Sequence, residues 1–194
     1  MQKIRKTGNW ILMVCAALIL SACGTYEVID KSGQSMMNSA GVYTLVNLHP
    51  DMKRSRLYTV NYQLDGLIPL CSEVVLLKAN KKVLKFKLKD TDQVFGFYYH
   101  KSAGEPLMTH LTKFFGRECK TSKVESLSTV DKKGIKQGVA MKGMTREGVI
   151  FAMGYPPPHK TPDLQGDTWT YWANRFGTMR VVFDKKGLVS EIVK

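Results

Sequence analysis

The most reactive side chains in this sequence are four thiols, Cys15, Cys23, Cys71 and Cys119, and four imidazoles, His49, His100, His110 and His159. Structural zinc asks for closely spaced Cys and His ligands. The histidines here are scattered, with no close Cys/His spacing, so no metal site is expected. No Cys-x-x-Cys dithiol is present, which argues against a redox pair. No serine sits in a nucleophile elbow, no glycine-rich phosphate loop occurs, and no carboxylate pair stands out. The sequence therefore argues against an enzyme and against a resident cofactor. The chemistry that remains is that of individual thiols and of surfaces.

Cys23 has the most informative context. Lys3, Arg5 and Lys6 form a short basic segment, and Trp10 to Leu20 is an unbroken apolar run. That run is shorter than the roughly 20 residues a membrane-spanning helix needs, but it fits the apolar core of a secretory signal. Leu20-Ser21-Ala22-Cys23 follows at once and resembles the lipobox of bacterial lipoproteins. The resemblance implies that residues 1–22 are a signal peptide, that the Cys23 thiol receives a diacylglyceryl group, and that the new amino terminus is acylated. The residue types suit these steps. Small side chains at 21 and 22 let a peptidase reach the backbone, and a thiolate is the nucleophile that takes the lipid. Several acyl chains, at about 0.8 kcal/mol per buried methylene, make a stable membrane anchor. Gly24 stands where an Asp would retain an enteric lipoprotein in the inner membrane. The expected location is therefore the periplasmic face of the outer membrane.

The compartment then sorts the other residues. Cys15 would leave with the signal and Cys23 would carry lipid. The periplasm is oxidising, so the remaining pair, Cys71 and Cys119, is expected to form a disulfide. Closing a loop of that length stabilises a fold by about 4 kcal/mol on the chain-entropy model. The formal net charge is +13. An exported chain seldom meets nucleic acid, so acidic protein surfaces or anionic phospholipid head groups are the expected partners. Solvated lysines that merely keep the chain soluble explain the same excess.

The elements that must position these groups fall into an α+β pattern. Residues 23–40 look like a lipidated tether, with polar Lys31 to Ser35 and some strand character from Tyr26 to Ile29. Residues 41–120 are rich in strand signals. Leu57 to Gln63 puts Tyr58, Val60 and Tyr62 on one face, and Glu73 to Ala79 has an apolar centre. Val83 to Lys89 alternates Leu84, Phe86 and Leu88 with Lys85, Lys87 and Lys89. Val94 to His100 sets Phe95, Phe97 and Tyr99 on one side. So many short strands predict a small, strongly bent antiparallel sheet or SH3-like barrel. One helix is expected after Pro106, with Leu107, Leu111, Phe114 and Phe115 on its apolar face and Gly116 as its stop. The lysine row reads either as a head-group ladder or as a solvated face that protects an edge strand.

A polar linker is expected at 121–130, followed by a second domain at 131–194. A short helix near Asp131 to Gln137 precedes a stronger one, with Thr145 as its N-cap, Val149, Ile150 and Met153 on one face and Gly154 as its end. Three strands follow: Thr168 to Ala173, Thr178 to Phe183 and Leu188 to Val193. Gly143-Met144-Thr145 with Val149 and Gly154-x-Pro156 resembles the helix signature of the BamE-like (SmpA/OmlA) outer-membrane lipoproteins. Asp167-Thr168-Trp169-x-Tyr171 resembles their first-strand motif, and Val181-x-Phe183 with Gly187, Val189 and Ile192 resembles their closing hairpin. The resemblance implies a two-helix, three-strand module. It also implies a role in envelope assembly, since the founding member supports the complex that folds barrel proteins into the outer membrane. This chain departs from that member in its added β-rich domain, in the tight turn Asn174 to Gly177, and in Thr170, which replaces a large aromatic.

Alternation places Trp169 and Tyr171 on one face of their strand and Trp172 on the other. One set should pack on the helices, and the other is free to anchor an interface, with Tyr155, Arg175 and Phe176 extending the patch. Core or edge filling accounts for the same residues. Two functions follow as expectations. One is a protein-interaction scaffold with an outer-membrane or periplasmic partner. The other is an anionic-lipid- or peptidoglycan-associated binding module outside the barrel-assembly complex.

Overall fold

The computed structural model describes residues 26–194. The signal segment, the lipobox and Cys23 lie outside the described residues. Among those described, no helix is long and apolar enough to cross a membrane. The described residues form a mixed α+β structure with a curled sheet and four α-helices. In chain order its elements are β1 (Val42–Thr44), β2 (Arg56–Tyr58), β3 (Glu73–Ala79), β4 (Val83–Leu88), β5 (Val94–Tyr98), α1 (Leu107–Leu111), β6 (Phe115–Gly116), α2 (Thr121–Glu125), α3 (Thr129–Gln137), α4 (Arg146–Met153), β7 (Thr168–Trp172), β8 (Thr178–Phe183) and β9 (Val189–Val193).

Six strands form one sheet in the order β2-β5-β4-β3-β1-β6. Its centre follows the period of two that strands impose. On β4, Leu84, Phe86 and Leu88 are buried and the intervening lysines point away. The inner face closes around Phe86, Phe95, Phe97, Phe114 and Phe115, each no more than 1% exposed, with neighbouring rings 5.2–5.7 Å apart.

Four expectations for the β-rich region change. The sheet is not wholly antiparallel, because β2 runs parallel to β5. That strand stops at Tyr58 instead of continuing to Gln63, because Asn61 turns into the left-handed region with φ of 52°. Tyr99 lies beyond β5 and is exposed rather than aligned with Phe95 and Phe97. Helix α1 ends at Leu111, since Phe115 pairs with Thr44 in β6 and leaves the helical face expected for it.

Residues 26–40 of the expected tether are docked. Val28 and Met36 are each 1% exposed, and Met36 N–H donates to Val28 O at 2.7 Å. Arg117 secures this segment with Nε 2.6 Å from Asp30 and Nη2 2.7 Å from Ser35 O. Cys71 and Cys119 stand at disulfide distance, with Cα atoms 5.0 Å apart, and join the sheet to the segment after β6.

The stretch 121–130 holds α2 and the start of α3. Ser128 caps α3: its hydroxyl accepts the Asp131 N–H and donates to the Asp131 carboxylate at 2.7 Å. The same carboxylate, fully buried, accepts the Thr145 N–H at 2.8 Å, while Thr145 caps α4 through Gly148 N–H. One anion thus serves two helix starts, where the helix dipole favours negative charge. Gly148 is required there, because a Cβ would run into that carboxylate.

Helix α4 also explains how the two halves join. The last carbonyls of a helix lack partners within it. Here Phe151 O accepts from Asn47 N–H, Ala152 O from the Asn47 amide and from His49 Nε2, and Met153 O from the Asn61 and Gln63 amides. Residues before and after 121–130 therefore share these bonds and one continuous hydrophobic core. The antiparallel meander β7-β8-β9 completes the chain.

Candidate interaction surface

The aromatic strand β7 splits its side chains as alternation requires. Trp169 and Tyr171 are core residues at 1% and 0% exposure. Trp169 packs on Phe183 at 4.7 Å and its indole N–H reaches Leu164 O at 3.2 Å. The Tyr171 hydroxyl donates to Gly154 O at 3.0 Å, and burial pushes its phenol well above the ordinary range. Tyr155 is half-buried, edge-on to Phe114 at 6.2 Å. These three side chains belong to the packing of the fold. Trp172 faces the other way and is partly exposed.

Arg175 and Phe176 occupy the β7–β8 turn. Phe176 is 82% exposed, and the Arg175 guanidinium lies 4.6 Å from its ring centre. The turn is held by Asn174, whose side-chain oxygen accepts the N–H groups of Phe176 at 2.8 Å and Gly177 at 3.0 Å. Asn side chains commonly lock turns in this way. The ring is thus presented by a fixed backbone.

No family model, curated protein or solved structure matches the chain. The reading therefore rests on local chemistry.

Around Trp172 that chemistry is cationic and aromatic. Its indole N–H donates to His159 Nε2 at 3.3 Å, so that nitrogen is unprotonated. Partial burial, and then the charge of Lys160, hold the His159 imidazole below its ordinary value. Lys160 Nζ lies 4.8 Å from the Trp172 ring centre, and Tyr62 meets the same ring edge-on at 6.4 Å.

The row Lys85, Lys87 and Lys89 is not one uniform face. Lys87 pairs with Asp92 at 2.6 Å and Lys89 with Glu73 at 2.7 Å. Lys85 instead lies 5.5 Å from the Tyr98 ring centre. Two of the three lysines are thus neutralised by neighbours.

A cleft of about 570 Å³ opens between the 63–67 loop, the end of α3 and the β7–β8 turn, with His49, Gln63 and Met179 among its lining residues. Burial lowers the His49 pKa, and the Gln63 side-chain oxygen has no donor among the described residues. No group of three or more His, Cys, Asp or Glu side chains gathers as metal ligands among the described residues.

Sequence reasoning missed Tyr58, Tyr62, Tyr98, His159 and Lys160 as neighbours of this surface. Tyr58 and Tyr62 could be grouped by alternation, but nothing local placed them beside Trp172. Asp131 gave no signal beyond its place near a helix start.

Proposed function

We propose that the chain is a non-enzymatic protein-interaction subunit of the bacterial cell envelope, held by lipid on Cys23 at the periplasmic face of the outer membrane. The observation that carries this reading is Phe176, a large apolar ring left 82% exposed on a turn whose backbone is locked. A rigid aromatic beside an arginine is the kind of residue that anchors protein interfaces. Two further features support it. A cysteine pair at disulfide distance suits an oxidising compartment. The order α3-α4-β7-β8-β9 agrees with the resemblance to the BamE-like module, and on that resemblance the role is in envelope assembly, including that of outer-membrane proteins. Ion pairing of Lys87 and Lys89 weighs against the lysine row as a lipid-binding ladder.

The test is affinity purification of the full lipoprotein from native membranes, beside a variant with Phe176→Ala and Arg175→Ala. A stoichiometric protein partner lost from the variant, with thermal unfolding unchanged, is the expected result. Identical partners for both proteins, or mass spectrometry showing an unmodified Cys23 thiol, would overturn the proposal.

A further inference from the structure

A line of aromatic contacts crosses both halves of the molecule. Ring centres are 5.9 Å apart from Tyr98 to Tyr58, 5.5 Å from Tyr58 to Tyr62, and 6.4 Å from Tyr62 to Trp172. The sheet fixes one end through a gap. Lys85 on β4 and Arg56 on β2 both sit opposite Gly96 of β5. A Cβ on Gly96 would strike the Tyr98 ring, so the missing side chain lets that ring fold back over the strand. There Arg56 Cζ lies 5.3 Å from its centre, and Lys85 Nζ, 5.5 Å from its centre, donates to its hydroxyl at 3.4 Å. At the other end Lys160 covers Trp172.

The cations along this line are free of carboxylate partners: Arg56, Lys85 and Lys160 take part in none of the ion pairs found among the described residues. Lys87 and Lys89, on the same sheet, each have a carboxylate. Most other lysines and arginines of the described residues are likewise unpaired, and Arg56, Lys85 and Lys160 are the ones that meet rings of this line. A cation above an aromatic face is attracted to it but keeps its charge for a further anion.

The same geometry narrows the partner. Cations already cover faces of Tyr98 and Trp172, which hinders a sugar ring from stacking there. Tyr58, Tyr62, Tyr98 and Trp172 are all part-buried, so they offer a bilayer no projecting wedge. Tyrosine, tryptophan and arginine side by side are the composition of a protein interface, and unpaired cations select carboxylates. We propose that this line binds an acidic segment of a protein partner. Arg56, Lys85 and Lys160 receive Asp or Glu side chains, and Tyr58, Tyr62 and Trp172 supply the contact area. The proposal rests on the interaction-subunit reading and adds the chemistry of the partner.

The test uses the full lipoprotein in a neutral detergent and a labelled peptide of alternating glutamate and leucine, followed by fluorescence anisotropy. Two double variants remove the same charge: Arg56→Gln with Lys160→Gln, and Lys87→Gln with Lys89→Gln. The first should weaken binding about tenfold or more and the second about twofold or less, with both folded by thermal unfolding. The glutamine version of the peptide should not bind. Equal losses in the two variants would reduce the effect to net charge and overturn the proposal. So would binding to phosphatidylglycerol vesicles without binding to the peptide. If the peptide fails while a Phe176-dependent membrane partner persists, this inference falls and the interaction-subunit reading stands. If the peptide binds as expected and no membrane partner is captured, the reverse holds.

Discussion

On β5, Phe95 and Phe97 face the core and Tyr98 turns outward; on β7, Trp169 and Tyr171 face the core and Trp172 turns outward. In both strands the outward ring lies against cations. The inward rings differ. Those of β5 carry no polar atom and pack on Phe86, Phe114 and Phe115. Those of β7 each carry a donor that reaches a backbone carbonyl, Leu164 O and Gly154 O, in the segment leading into the strand. One strand is held by filled volume. The other also pins an irregular, proline-rich loop that has few bonds of its own.

Truncation should separate these two modes most clearly. Phe97→Ala is expected to lower stability by about 3–5 kcal/mol, because a ring is lost where neighbours cannot collapse fully; the denaturant midpoint measures it. A loss below about 1 kcal/mol would break the contrast. Replacing Cys71 and Cys119 by serine, both on the β5 side, should cost about 4 kcal/mol on the loop-closure model. Reducing agent should have the same effect on the native protein and none on the variant.

Tyr171→Phe keeps the volume and removes only the donor to Gly154 O. The expected cost is about 1–3 kcal/mol, the penalty for a buried acceptor left alone. Hydrogen exchange should speed up first across residues 154–166, while β5 is unaffected. Uniform acceleration would mean that the peg has no local role.

Acid should act on the β5 side next. His110 is 3% exposed and stacks on Phe114 at 5.0 Å; burial lowers its pKa from the ordinary 6.5, opposed in part by Glu105. The unfolded chain therefore binds this proton at higher pH than the folded chain does. Stability is full above 6.5 and falls as the pH drops through 6.5 toward the folded value. His49, whose pKa burial also lowers, acts in the same direction. Denaturation at several pH values should show this decline, and His110→Gln should flatten it. A slope unchanged by that substitution would assign the effect elsewhere. The smallest effect belongs to the outward rings. Tyr98→Ala and Trp172→Ala should each shift stability by about 1 kcal/mol or less, since both are already part-exposed.

Features with a local cause were legible in the sequence. The alternation of Leu84, Phe86 and Leu88 and the Thr145 cap of α4 need only their neighbours to be read. The expected split of Trp169 and Tyr171 from Trp172 is what the strand shows, although alternation by itself did not say which face is inward. Features fixed by distant partners were not legible. Asn61 leaves the strand because its amide serves Met153 O and Tyr155 O, more than ninety residues away. Phe115 abandons a helical face to pair with Thr44. Val28 and Met36 belong to short apolar pairs, Val28-Ile29 and Met36-Met37, in a polar stretch, and only the core they join explains their burial. The aromatic line draws on β2, β5 and β7 together, so no window of sequence contains it.

The hairpin around Asp30 bears on how the body would stand over a bilayer. With the proposed acyl chains on Cys23, only three peptide steps lead to Tyr26, whose N–H is already bonded to Ala79 O. Three steps span at most about 10 Å. A leash that short would hold the folded portion down among the phospholipid head groups, with limited choice of which flank looks into the periplasm.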